Sequence, residues 1–295
     1  YPYKLISPIS RPGIYTANEN AAGLCLDSQG NLFVTRSNKQ VDKITPSGQK
    51  IANIGEVRAA TNNIKFGPDN SFYYTSTLFL FKTDTAAFTH QLKMFIGTFM
   101  NDLDFTQSGD LFVVGQKGIH LVDPLDPNLK SVQVVDAGDT TFTVARVYDN
   151  NLYVVGKYTG TDTTISTKQK IWRYGIDITS SDTIVGPVET VMEFDSTQYE
   201  NIAVNTVTFT ADGRMYIGTN ANSMLYVDPA GGTYDVAGLT PLYPSLLAEE
   251  AIFRMAWGPG NSDFLYVNNK NPNNSDLNTI YKIRMFEDGA PYFGR

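Results

Sequence analysis

The strongest constraint on the fold is a unit of strands and turns that recurs six times along the chain. The first copy runs from Gly23 to Gly55. It alternates short apolar stretches with turn signals such as Ser28-Gln29-Gly30 and Pro46-Ser47-Gly48. The early copies follow one another at about 40 residues, a spacing typical of repeated β-sheet units. One apolar position recurs in all six copies, at Leu26, Phe66, Phe105, Val147, Phe209 and Trp257.

This pattern predicts an all-β fold in one domain over residues 1–295, a six-bladed β-propeller with four antiparallel strands in each blade. A four-stranded sheet cannot bury both of its faces alone, so neighbouring blades must cover each other. Each blade should begin with an inner strand beside a central channel. The predicted inner strands lie near residues 23–27, 63–67, 102–106, 144–148, 206–210 and 254–258.

The ring also has to close. The sixth copy lacks an outer strand, because only "EDGAPYFGR" follows "TIYKIRMF" at the end of the chain. The segment from Tyr3 to Ile9 precedes the first inner strand and is rich in apolar residues. We therefore predict that this N-terminal segment pairs with the last blade as its outer strand.

Composition argues against several classes of function. The net charge is −7 with a pI near 4.9 and no basic cluster, which argues against nucleic-acid binding. No apolar run approaches the ~20 residues that a membrane-spanning helix needs. The single cysteine, Cys25, lies between apolar neighbours, which predicts a buried and inert thiol. Neither His90 nor His120 has a partner at metal-binding spacing, so no catalytic residue is predicted.

The candidate site lies where the inner strands begin. In a propeller, the residues just before each inner strand surround one mouth of the channel. This first ring would contain Ala22, Asn62, Asn101, Thr143, Asn205 and Phe253, and the second ring Gly23, Asn63, Asp102, Val144, Thr206 and Arg254. The predicted ligand-binding residues are Asn62, Asn101, Asp102, Asn205, Phe253 and Arg254. Such a polar, partly aromatic mouth suits a small polar ligand or a peptide loop.

Two quoted motifs carry a family resemblance. "GLCLDSQGNLFVTRSNKQVDKITPSG" resembles an NHL repeat, and "NTVTFTADGRMYIGTNANSMLYVDPAGG" resembles both that repeat and the SMP-30/gluconolactonase propellers. The latter family implies one divalent cation held by a Glu, two Asn and an Asp, which would activate water for lactone hydrolysis. The matching residues here are Asn101, Asp102 and Asn205. Ala22 stands where the Glu is expected, however, and Thr143 and Phe253 are not metal ligands.

We therefore predict no metal or cofactor, with Ca²⁺ or Zn²⁺ as the alternative. The ring amides are then interpreted as caps of strand ends, and Asp102 as the partner of Arg254 in the second ring. The predicted function is a non-enzymatic, secreted or cell-surface module that binds a protein or a small polar ligand and can self-associate into a homo-oligomer or larger assembly. The alternative is a metal-dependent hydrolase of the SMP-30/gluconolactonase type acting on a lactone or ester.

A polar insertion in the fourth copy, residues 159–169, has only Ile165 as a sizeable apolar group. Such a segment cannot bury enough surface to order itself alone. We expect it to form an exposed loop that is available to a partner and dispensable for folding.

Overall fold

The structure is a computed structural model that describes residues 4–5, 15–17, 21–86, 88, 91–127, 129–166, 168–179, 182–194, 202–220, 224–242, 251–271 and 274–290. The described chain consists almost entirely of antiparallel β-strands, with one short 3₁₀ helix at Val236–Gly238. None of the described helical segments is long and apolar enough to cross a membrane.

The first two sheets each contain four strands in chain order, as the sequence predicts. Sheet one consists of β3 (Ala21–Leu26), β4 (Leu32–Arg36), β5 (Gln40–Ile44) and β6 (Lys50–Glu56). Sheet two consists of β7 (Asn63–Phe66), β8 (Phe72–Ser76), β9 (Phe79–Thr83) and β10 (Gln91–Phe95). Their turns use residues that adopt positive φ, such as Gly30 at 79° and Asn70 at 60°.

The third sheet combines two of the predicted units. It contains β11 (Met100–Phe105), β12 (Leu111–Val122), β13 (Ser131–Tyr148), β14 (Asn151–Tyr158), β15 (Lys170–Thr179) and β16 (Asp182–Glu193). The strand β13 is continuous across the predicted boundary. Its first part pairs with the end of β12, at His120 with Gln133, and its last part pairs with β14, at Val147 with Leu152.

The predicted count of six blades is therefore wrong. The described residues form five hydrogen-bonded sheets, because the backbone between the third and fourth sequence copies stays extended and paired. The prediction of an all-β propeller built from antiparallel sheets is confirmed.

The last two sheets complete the ring. Sheet four consists of β17 (Val204–Phe209), β18 (Met215–Thr219), β19 (Met224–Val227) and β20 (Thr240–Leu242). Sheet five consists of β21 (Ala251–Trp257), β22 (Phe264–Asn271) and β23 (Asn274–Arg284), with β1 (Lys4–Leu5) and β2 (Tyr15–Ala17) paired along β23. Lys4 pairs with Arg284 and Leu5 with Ile283, so the N-terminal segment adds to the last sheet as predicted. The other residues of the predicted closing segment lie outside the described part of the chain.

The core lies between neighbouring sheets. Phe33 of sheet one packs edge-on against Phe66 of sheet two, with ring centroids 4.8 Å apart, and Cys25 joins the same cluster with no exposed surface. Each buried Phe contributes roughly 1.5–3 kcal/mol through removal from water. Burial also raises the pKa of the Cys25 thiol, which favours the unreactive neutral form expected from its apolar neighbours.

Candidate functional site

A cavity of about 740 Å³ opens where the inner strands begin. All six residues of the predicted first ring line it, together with Arg254 from the second ring. Asp102 does not line it and is only 1% exposed, because it lies one layer deeper. The cavity is thus the place where five of the six predicted ligand-binding residues meet: Asn62, Asn101, Asn205, Phe253 and Arg254.

A repeated β-bulge turns the first ring toward this cavity. The pairing register of the inner strands skips one residue between Ala21 and Gly23 and one between Met100 and Asp102. It also skips Thr143, Asn205 and Phe253 in the later copies. An extra residue in one strand of a pair bends that strand and redirects its side chain. The bulge explains why the same position reaches the mouth in these five copies, whereas Asn62 of the second copy directly precedes β7 without a bulge.

The three ring asparagines connect neighbouring units. Asn101 Nδ2 donates to the carbonyl of Phe142 at 2.6 Å, and Asn205 Nδ2 donates to the carbonyl of Ile252 at 3.0 Å. Asn62 Nδ2 donates to the carbonyl of Met100 in the same way. In each case the acceptor immediately precedes the first-ring residue of the next unit. We call these contacts the amide clamps.

Gln169 forms the corresponding clamp between the fourth and fifth units, where the ring residue is Thr143. Its Nε2 donates to the carbonyl of Val204 at 3.3 Å, and its Oε1 accepts from the Val204 amide at 2.6 Å. Thr143 is too short for this contact, and its hydroxyl donates to the carbonyl of Val155 instead. A residue of the polar insertion therefore substitutes for the missing ring amide.

Arg254 crosses the floor of the cavity. Its Nη1 donates to the carbonyls of Asn205 at 2.9 Å and Phe253 at 3.1 Å, and its Nη2 donates to the carbonyl of Asn62 at 2.7 Å. The guanidinium also lies 4.6 Å from the ring centre of Phe253. Arg254 is 7% exposed, and burial lowers its pKa, while Asp102 opposes that shift. Its Nε is buried and has no hydrogen-bond partner among the described residues.

The expected ion pair between Asp102 and Arg254 is wrong. Asp102 Oδ2 instead lies 3.5 Å from Arg146 Nη1 and accepts from the Ala145 amide at 2.9 Å. Its Oδ1 accepts from the Leu103 amide at 2.8 Å and from Asn63 Nδ2. Arg254 reaches only backbone carbonyls, because its guanidinium is already held across the channel by three of them. Both oxygens of Asp102 are therefore engaged.

A second buried ion pair lies one layer below. Lys65 Nζ is 3.1 Å from Asp104 Oδ1, and Asp104 Oδ2 accepts from the Val147 amide at 2.8 Å. Burial lowers the pKa of Lys65, and the neighbouring Arg146 lowers it further, while Asp104 opposes the shift. Charged groups and strand amides thus lie beneath the cavity.

The described residues do not fit a divalent cation. Hard cations need several oxygen ligands and carboxylate charge. No group of three or more His, Cys, Asp or Glu side chains within the described part of the chain could hold a metal. Asp102 has no free oxygen, and the cavity floor carries the cationic Arg254. The amide oxygens of Asn101 and Asn205 alone supply no negative charge.

Several lining residues were not found by sequence reasoning. Lys157, Lys168 and Gln169 come from the end of β14 and the polar insertion, and Ile202 and Ala203 come from the approach to β17. Reasoning from inner-strand positions could not find them, because they reach the mouth from the end of another strand and from connections between strands. The only signal was the position of the insertion, directly before a strand that neighbours the ring.

The chain resembles known proteins in its fold. No protein-family profile and no curated protein sequence matches the chain. Solved structures do match over nearly the whole length. A candidate gluconolactonase is 12% identical with a TM-score of 0.64, covering 98% of this chain and 99% of that one. A calcium-binding protein, regucalcin, from Agrobacterium tumefaciens is 13% identical with a TM-score of 0.63, covering 95% and 97%.

The chain has the β-propeller fold of these proteins. A catalytically inactive virginiamycin B lyase from Staphylococcus aureus bound to quinupristin shares it as well, at 10% identity and a TM-score of 0.59, covering 96% of this chain and 98% of that one. The resemblance to the SMP-30/gluconolactonase propellers is thus confirmed at the level of fold. At such low identity the match does not transfer a ligand or a reaction, since one propeller fold serves many functions.

Proposed function

We propose that this propeller binds a small polar molecule in the cavity at the mouth of its channel. The observation that carries the proposal is the convergence of all six first-ring residues on one cavity of about 740 Å³. That volume lies in the range of small-molecule sites, ~300–1,000 Å³. The amide clamps leave the Oδ1 atoms of Asn62, Asn101 and Asn205 without a hydrogen bond among the described residues, so acceptors are available to a ligand.

Hydrolysis of a lactone or ester is the second candidate function. The candidate gluconolactonase and the regucalcin among the solved structures favour it over the purely non-enzymatic module expected from the sequence. The described residues offer no metal site, so the metal-dependent form of this reaction has no ligand set in the described cavity. A location outside the cell, a protein partner and self-assembly remain predictions from the sequence.

The test is to fill the cavity. Ala22 lines the mouth, so a larger side chain there should block the cavity. We expect Ala22→Phe to weaken the binding of small polar molecules at least tenfold, with the apparent affinity measured from ligand-induced thermal shifts. The control is Ala211→Phe, since Ala211 is exposed in the turn at the far end of β17. Unchanged binding by the Ala22 variant would show that the ligand site is elsewhere.

The same two variants separate binding from catalysis. Wild type is assayed on a panel of lactones and nitrophenyl esters, with added Ca²⁺ or Zn²⁺ and again after chelation. Turnover that is lost on chelation and lost in the Ala22 variant would establish the hydrolase. Binding without turnover would establish a binding protein.

A further inference from the structure

The charge of the mouth cavity is opposite to that of the whole chain. Three of its described lining residues are cationic, Lys157, Lys168 and Arg254, and none is acidic. The net charge of the whole protein, by contrast, is −7. A concave site walled by protein concentrates the field of the charges that line it. The described lining therefore favours a negative ligand.

The cation at the floor has no direct acidic partner among the described residues. Arg254 donates to three backbone carbonyls, and its Nε makes no hydrogen bond although it is buried. Asp102, the acidic group whose charge acts on Arg254, is already paired with Arg146. A buried guanidinium without a carboxylate partner is costly. An anion in the cavity would lower that cost.

The two lysines come from a different part of the chain than Arg254, which lies on β21. Lys157 is exposed at the end of β14, and no described side chain forms an ion pair with it. Lys168 lies in the insertion, where its charge helps to lower the pKa of Glu193. Glu193 is paired with Lys170 at 3.0 Å and does not line the cavity. The three cationic groups thus line one cavity, although they come from separate segments of the chain.

From this arrangement we infer that the cavity takes a small organic anion, a carboxylate or a phosphate ester, rather than a cation or a neutral molecule. This inference rests on the proposed function and names its ligand class. The anionic group would lie near Arg254 and Lys157, where charge-assisted hydrogen bonds are strongest. The amide oxygens of Asn62, Asn101 and Asn205 would accept from hydroxyl groups on the rest of the ligand.

The experiment compares four sugars that share one ring and differ in charge. Glucose, glucosamine, glucuronate and glucose 6-phosphate are titrated into the full chain by calorimetry at low and moderate salt. Glucuronate or glucose 6-phosphate should bind at least tenfold more tightly than glucose and glucosamine, with an affinity that falls as salt rises. Which of the two binds more tightly distinguishes a carboxylate from a phosphate ester.

Two variants assign the effect to the cavity. Lys157→Gln should weaken anion binding by about threefold to fivefold, as expected for an exposed charge, while Lys130→Gln, a matched exposed lysine away from the cavity, should not. Arg254→Gln should weaken it by tenfold or more, and the exposed Lys157 variant keeps the test valid where that change impairs folding. Equal or tighter binding of glucose or glucosamine overturns the anion inference and leaves the proposed function standing. Absence of binding by all four sugars also overturns the anion inference, and the Ala22→Phe experiment then decides the proposed function separately.

Discussion

At the scale of single residues, the neighbours Asn101 and Asp102 have different structural roles. Asn101 sits on a bulge, lines the cavity and clamps the next unit, whereas Asp102 points into the filled channel. Every oxygen of Asp102 accepts a hydrogen bond from a strand amide or a side chain. Its role is therefore the assembly of the inner strands, and its neighbour supplies the surface that a ligand can reach.

We predict that Asp102→Asn lowers the free energy of unfolding by about 3–5 kcal/mol, because it leaves Arg146 buried without its partner. The amide would also present a donor to groups that already donate. The loss should be the same with and without Ca²⁺, measured by calorimetry. The control is Asp177→Asn, an exposed change expected to stay within about 0.5 kcal/mol. Strong stabilisation of wild type by millimolar Ca²⁺ that the variant lacks would restore the metal-site alternative.

At the scale of elements, the polar insertion contains two different parts. Residues 161–165 are exposed, as the sequence predicts from their composition. Gln169, in contrast, has a structural role. It forms the amide clamp to Val204, and its backbone carbonyl accepts a hydrogen bond from the Phe194 amide at 3.0 Å. The predicted dispensability of the whole segment from 159 to 169 is thus too broad.

We predict that replacing residues 161–165 by two glycines changes the free energy of unfolding by no more than about 1 kcal/mol, since loop length has a weak effect. Gln169→Ala should cost about 1–3 kcal/mol, because it leaves the buried Val204 amide without an acceptor. Chemical denaturation of the two variants side by side measures both. Equal losses in the two variants would contradict the assignment of the clamp to Gln169.

The elements also show how much of the fold follows from the sequence. Strand alternation and turn residues predict the inner strands closely, because burial on one face fixes a period of two. The fusion of the third and fourth units was not predictable, since it depends on β13 staying extended between Val135 and Val144 rather than on a local signal. The pairing of Asp102 with Arg146 depends on how two distant inner strands are aligned. The neighbouring contact of Asp102 with the Ala145 amide joins residues 43 positions apart, and sequence spacing does not reveal such an alignment.

At the scale of the whole molecule, closely packed sheets bury many tyrosines with their hydroxyl groups. Burial raises the pKa of Tyr74, Tyr174 and Tyr266 to about 12 in each case. Burial likewise raises the pKa of Tyr73 and Tyr216 well above the ordinary value, with nearby carboxylates adding to the effect. These side chains belong to four of the five sheets, so their ionisation reports on the ring as a unit.

We predict cooperative alkaline unfolding that begins above pH 10. In the unfolded chain these phenols ionise near pH 10, while the folded state keeps them neutral, so their contribution is complete below pH 10 and is lost as the pH rises toward 12. Each phenol lowers the free energy of unfolding by about 1.4 kcal/mol per pH unit in that window, and the five together lower it by about 7 kcal/mol per pH unit. The whole free energy of unfolding of a typical domain is only about 5–15 kcal/mol. Phenolate absorbance and circular dichroism should therefore change together between about pH 11 and 12.

The control variant is Tyr174→Phe, which removes a buried phenol that makes no hydrogen bond with the described residues. It should shift the midpoint of alkaline unfolding to higher pH. If the phenolate absorbance of all 17 tyrosines developed near pH 10 with the fold intact, the burial of these five side chains would be contradicted.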